Sequence, residues 1–118
     1  MILRAALMVL ALAGTAEAQG MAEAGGALLR GLDKIAGTAV DLELSVGQTL
    51  AFGQLQVTLN ECRFPAEDPS SNAFARLTIF DSAQNAEIFS GWMIADSPAL
   101  SALDHQRYDV WVIRCKSE

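Results

Sequence analysis

The sequence predicts an all-β domain, a small antiparallel β-sandwich or partly open barrel with one short helical turn near residues 98–104. Three observations predict it: short runs of alternating apolar and polar residues, turn-forming residues between those runs, and two widely separated cysteines, Cys62 and Cys115. Alternation marks a strand with one wet face, because successive side chains point to opposite sides of the chain. Regularly spaced turn residues between such runs are the pattern of an all-β chain.

Ahead of the domain, Arg4, the apolar run Ala5 to Gly14, and Ala16-Glu17-Ala18 before Gln19 have the three parts of a secretory signal peptide. The apolar run is shorter than the roughly 20 residues needed to cross ~30 Å of hydrocarbon, so cleavage is expected rather than anchoring. No cysteine stands near the cleavage point to take a lipid. The expected organisation is a cleaved leader over 1–18, a flexible Gly/Ala-rich arm over 19–26, and a single β domain over 27–118, large enough for one core. The net charge of −6 is unchanged by losing the leader, whose Arg4 and Glu17 cancel. Nucleic acid is an unsuitable partner for such a chain, since its binding needs a basic surface to neutralise phosphates. The acidic residues are scattered singly, as on a solubilising surface, and no metal or cofactor is expected.

Along the domain, Ala27 to Lys34 reads as either an opening strand or a single helical turn. Val40, Leu42 and Leu44 alternate with Asp41 and Glu43 in a strand, and Gly47 supplies the next turn. Leu50 and Phe52 sit at even positions, whereas Leu55, Val57 and Leu59 sit at odd ones. A bulge or sheet corner at Gly53 accounts for that change of phase. The same phasing puts Cys62 with the polar set, so either the strand ends near Glu61 or the cysteine lies at a sheet edge. Residues 64–72, with two prolines among acidic and small polar residues, form an exposed loop. Ala73, Ala75, Leu77 and Ile79 then alternate with Phe74, Arg76, Thr78 and Phe80, and Ile88 to Ile94 returns antiparallel. Ser97-Pro98 begins the helical turn, with Leu100 and Leu103 as its apolar stripe and Ser97 as its cap. Tyr108 to Cys115 is apolar on both faces, with Trp111, Ile113 and Cys115 on one, and reads as a central strand.

In an oxidising compartment the two cysteines are expected to pair. Closing a loop of roughly 54 residues stabilises the fold by about 4 kcal/mol in the chain-entropy model. The pair lacks the C-x-x-C spacing of a reactive thiol, and one histidine with two distant cysteines falls short of a zinc site.

The segments Leu29-Arg30-Gly31-Leu32-Asp33-Lys34, Phe52-Gly53-Gln54-Leu55 with Cys62-Arg63, Phe89-Ser90-Gly91-Trp92-Met93, Ser97 to His105, and Tyr108-Asp109-Val110-Trp111 stand out together. They resemble DUF2155, a family of exported α-proteobacterial proteins of unknown function. The resemblance covers about Ala27 to Cys115 and implies a periplasmic protein with both cysteines at family positions. It implies no activity. The chain departs from the family in a proline-poorer loop after Cys62-Arg63, and in Gln106 where proline follows the histidine.

Candidate chemistry lies between Ser90 and Trp111. His105, the only histidine, would serve a hydrolase as general base for Ser97 or Ser101, oriented by Asp104 or Asp109. No nucleophile-elbow pattern surrounds a serine, and a histidine just past a short helix has a simpler role at the helix carboxyl end. A metal held by Asp104, His105 and Asp109 rests on equally common residues. The stronger candidate is a binding surface of Trp92, Met93, Asp104, His105, Tyr108 and Trp111, rimmed by Ser90, Asp96, Arg107 and Asp109. Tryptophans also fill cores, which is the preferred place for Trp111, while Trp92 is open between core and surface. The expected role is a non-catalytic module that binds an envelope protein or glycan. The alternatives are a small hydrolase using His105 and a structural subunit of an envelope complex.

Overall fold

A computed structural model describes residues 20–116; the expected leader over 1–18 lies outside the described residues. Eight strands follow in order: β1 (Met21–Ala24), β2 (Gly26–Asp33), β3 (Thr38–Ser45), β4 (Thr49–Phe52), β5 (Leu55–Pro65), β6 (Phe74–Asp81), β7 (Ala86–Ile94) and β8 (Tyr108–Lys116). The larger sheet runs β1-β5-β6-β7, with β4 also paired to β5, and the smaller sheet runs β3-β2-β8. Every pairing is antiparallel. The two sheets face each other without closing into a barrel, so the predicted all-β sandwich stands.

Alternation builds the core. Leu29, Leu42, Leu44, Val110 and Val112 from the smaller sheet meet Leu55, Val57, Leu59, Leu77 and Ile79 from the larger one. Gly31 faces inward too, where an added Cβ would come within 2.7 Å of the Phe52 ring, so the missing side chain makes room for an aromatic one.

The N-terminal residues depart from expectation. Met21–Ala24, read as flexible arm, pair with Pro65 to Cys62 as β1. Their side chains carry little alternation, and it is pairing with the edge of β5 that orders them. The open choice over Ala27 to Lys34 resolves as strand β2.

Three phase changes have physical causes that periodicity alone did not separate. Gly53 is neither bulge nor corner: with φ +59° it opens a two-residue hairpin that pairs Phe52 with Leu55. Such a turn sets an even position opposite an odd one without any break in the ladder. The β5 strand does not end near Glu61. Its register against β6 slips between Leu59 and Glu61, leaving Asn60 as an extra residue and turning Cys62 into the core at 1% exposure. Strand β8 slips in the same way against β2, where Leu28 pairs Arg114 and Leu29 pairs Val112, with Ile113 extra. Each bulge lies two residues before a cysteine, and together they bring Cys62 and Cys115 into a disulfide with 5.7 Å between Cα atoms. The bond ties the two sheets together, as the cysteine count predicts.

The last strand is not central. Strand β2 is the middle of the smaller sheet, and β8 is an edge. Its Tyr108, Val110 and Val112 are buried, while Trp111 and Ile113 are only partly covered on the outer face. The helical turn is also shorter than expected, a 3-10 turn over Pro98–Leu100 without a side-chain cap from Ser97. Leu103 enters the core, but Leu100 is 76% exposed, so the two do not form one buried stripe.

Candidate functional site: a locked loop end and two aromatic faces

Four connections converge at the end of the sandwich where β8 begins. They are the β2–β3 turn, the Gly53–Gln54 hairpin, the β6–β7 turn and the approach from His105 to Tyr108. Asp81, at the end of β6, is 1% exposed and fully engaged. Its Oδ1 accepts the backbone N–H groups of Ala83 (2.9 Å) and Gln84 (3.4 Å), and its Oδ2 accepts the Gln84 side-chain amide (2.9 Å). His105 Nε2 lies 2.9 Å from the same Oδ2. On the other side of the ring, Nδ1 accepts the N–H groups of Arg107 (2.9 Å) and Tyr108 (3.3 Å). A nitrogen that accepts carries no proton, so the proton sits on Nε2 and is donated to Asp81. The His105 hydrogen bond is the main cause holding the Asp81 carboxyl below its ordinary pKa; burial opposes it, and the two backbone N–H groups add to it.

Around this pair the chain is tied down further. Arg107 donates to both oxygens of Asp33, from Nη2 to Oδ2 at 2.9 Å and from Nε to Oδ1 at 3.1 Å. Asp33 also accepts the N–H groups of Ile35 and Ala36. The Arg107 bonds, followed by the Ala36 N–H, lower its pKa to about 2. Lys34 donates its Nζ to the His105 carbonyl at 2.8 Å, and its N–H to the Arg107 carbonyl at 2.7 Å. The Tyr108 hydroxyl accepts the Gln54 N–H at 3.1 Å, packed against Gly53, where a Cβ would collide with it. Above this frame lies a cleft of about 620 Å³, with Ile35, Gln54, Ile88 and Asp104 in its walls.

This geometry changes the reading of His105. Its carboxylate partner is Asp81, and neither Asp104 nor Asp109 is bonded to the ring among the described residues. Both ring nitrogens are committed, one as donor and one as acceptor, so no lone pair is left for a serine proton. Sequence reasoning missed Asp81 because it lies 24 residues away on another hairpin. An acid followed by Ser-Ala-Gln-Asn at a strand end carries only the signal of a turn.

The remaining candidates do not form one surface. Met93 and Tyr108 are each 2% exposed and lie in the core between the sheets. Trp92 alternates with Met93 and therefore stands on the outer face of the larger sheet. There the Arg63 guanidinium lies 5.5 Å from its ring centroid, and Met21 and Phe74 complete a shallow depression of about 210 Å³. Glu61 bridges Arg63 (2.9 Å) and Arg76 (3.1 Å) on the same face.

Trp111 alternates with Val110 and Val112 and stands on the outer face of the smaller sheet, opposite Trp92. It is not core, contrary to expectation, because it points away from Val110 and Val112, and among the described residues no strand lies over that face. A groove of about 360 Å³ runs beside it, walled by Pro98, Ala99 and Ala102 on one side and Asp109, Val110 and Trp111 on the other. The lining is mainly apolar, and Leu100 projects from the same turn. The Pro98–Ala102 wall was missed as a surface because Leu100 and Leu103 together read as a buried stripe.

The described residues include no helix long and apolar enough to cross a membrane. Among curated proteins, the chain is 25% identical over 87 residues to an uncharacterized protein of Rickettsia prowazekii (strain Madrid E). The match covers 71% of this chain and 56% of that protein, so the chain spans little more than half its relative's length. No solved structure matches. Residues 27–115 match the family of uncharacterized proteins conserved in bacteria, DUF2155, and the chain belongs to that family.

Proposed function

We propose that this protein is an exported, disulfide-closed, non-catalytic module of the periplasm that docks onto another protein of the cell envelope through the Trp111 groove. The observation that carries the reading is the groove itself. Pro98, Ala99, Ala102, Val110 and Trp111 line an apolar recess, and Leu100 stands exposed beside it. Exposed apolar recesses with an aromatic anchor suit protein partners, since a tryptophan brings large contact area at small entropic cost. Export is supported by the leader pattern of residues 1–18 and by the disulfide. A non-catalytic role is supported by the full engagement of both His105 ring nitrogens.

The test is crosslinking and pulldown from native envelopes with wild type, Trp111→Ala and Trp92→Ala, each first shown to be folded. A stoichiometric partner lost with Trp111→Ala and kept with Trp92→Ala is the expected result. Loss with Trp92→Ala alone moves docking to the opposite face, and retention by both variants removes the aromatic faces from the function.

A further inference from the structure

We propose that the outer edge of β8 receives an extended segment of the partner, which adds as a further strand beside Asp109–Arg114 and places an apolar side chain in the Trp111 groove. This segment is basic, carrying lysine or arginine on either side of the inserted residue. The inference rests on the reading of the groove as a docking surface, and it names how the partner binds.

Three observations carry it. First, β8 pairs only with β2, and no backbone hydrogen bond among the described residues reaches residues 109–116 from anywhere else. The strand therefore presents a row of unpaired N–H and C=O groups, which is the template for strand addition. Second, the groove lies against that same stretch, at Asp109, Val110 and Trp111. Main-chain bonds would give affinity along the edge, and the groove would select one side chain. Third, the charges beside the groove are one-sided. Asp109 lines the groove, and Asp96 and Asp104 stand two residues before and after its Pro98–Ala102 wall along the chain. None of the three is in an ion pair among the described residues, whereas Arg30, Arg63, Arg76, Arg107 and Lys116 each face a carboxylate; Arg114, the exposed cation of β8 without an ion pair, stands at the far end of the edge from Asp109. With a net charge of −6 behind them, these free carboxylates complement a cationic segment.

The probe is a pool of peptides of about nine residues, with lysine alternating with Val, Ile, Leu or Phe, added to the isotopically labelled protein with its disulfide intact. Binding is expected to shift the amide signals of Asp109–Arg114 and slow their hydrogen exchange. Methylating alternate peptide nitrogens leaves charge and side chains unchanged but blocks a ladder, and should weaken binding at least about tenfold. Ala102→Trp, which fills the groove at an exposed position, should do the same, and replacing lysine by glutamate should abolish binding. Equal binding of the methylated pool, with sensitivity to Ala102→Trp retained, overturns strand addition and leaves the groove as a docking surface. A pool that leaves β8 undisturbed also overturns strand addition, and the docking reading then stands or falls on the Trp111→Ala capture alone.

Discussion

At the loop end, polar side chains are numerous and every one that is buried is answered from within the chain; beside Trp111, apolar side chains and an open strand edge are left unanswered. Asp81 accepts four hydrogen bonds, His105 uses both ring nitrogens, and Arg107 is spent on Asp33. Internal satisfaction of this kind fixes loops in place and leaves little for a ligand. The groove has the opposite character, since it gains only when something covers it. The lone histidine, the most conspicuous residue by chemistry, is thus bonded into the frame of the loop end, and a bland Pro-Ala-Leu turn borders the proposed docking surface.

Experiments can break or sharpen that contrast. Replacing both cysteines by alanine should have the largest effect, about 4 kcal/mol in urea unfolding, because it releases the link between the sheets that both regions share. Asp81→Ala should lower the unfolding midpoint next most. It strands the Ala83 and Gln84 N–H groups and the His105 proton, and hydrogen exchange should speed up over 82–85 and 105–108 while partner capture persists. Trp111→Ala should do the reverse: a loss of about 2 kcal/mol in partner affinity, as for an interface anchor, with the unfolding midpoint little changed. Tyr108→Phe removes the acceptor for the Gln54 N–H and should cost about 1 kcal/mol of stability, without touching capture.

The last contrast is in acid. Asp33 has its carboxyl pKa lowered from 3.8 to about 2 in the folded protein, so its contribution is complete above 3.8 and is lost as the pH falls from there through 2. The stability curve of Asp33→Asn should lack that fall, whereas Trp111→Ala should keep it.

How much of this was legible in the sequence varies element by element. Strand β6 followed from alternation, because it has one face in the core and one in water, whereas β7 followed from its return across a short loop and hides a slip of its own at Ile88. The cysteine pairing followed from the count of two and an expected oxidising compartment. Single extra residues were not legible: Asn60 and Ile113 look like ordinary strand residues, and only the neighbouring strand reveals that they slip the register. The edge position of β8 was hidden for a related reason, since Trp111 and Ile113 make its outer face apolar without any strand lying over it. Of the candidate surface, the residue types were readable and the assembly was not. Trp92 and Trp111 are 19 residues apart, yet the turn of the chain from one sheet to the other sets them on opposite sides.

The place of β2 between β3 and β8 also sets the order of events as the protein forms. Gly26 pairs with Ser45 on one side but must wait for Lys116 on the other. Half of the central strand's partners therefore arrive last, and no early segment can complete the smaller sheet by itself. Pairings across so much chain make for slow folding, on the order of milliseconds to seconds. During that interval β2 is an open edge, free to pair wrongly until β8 is in place.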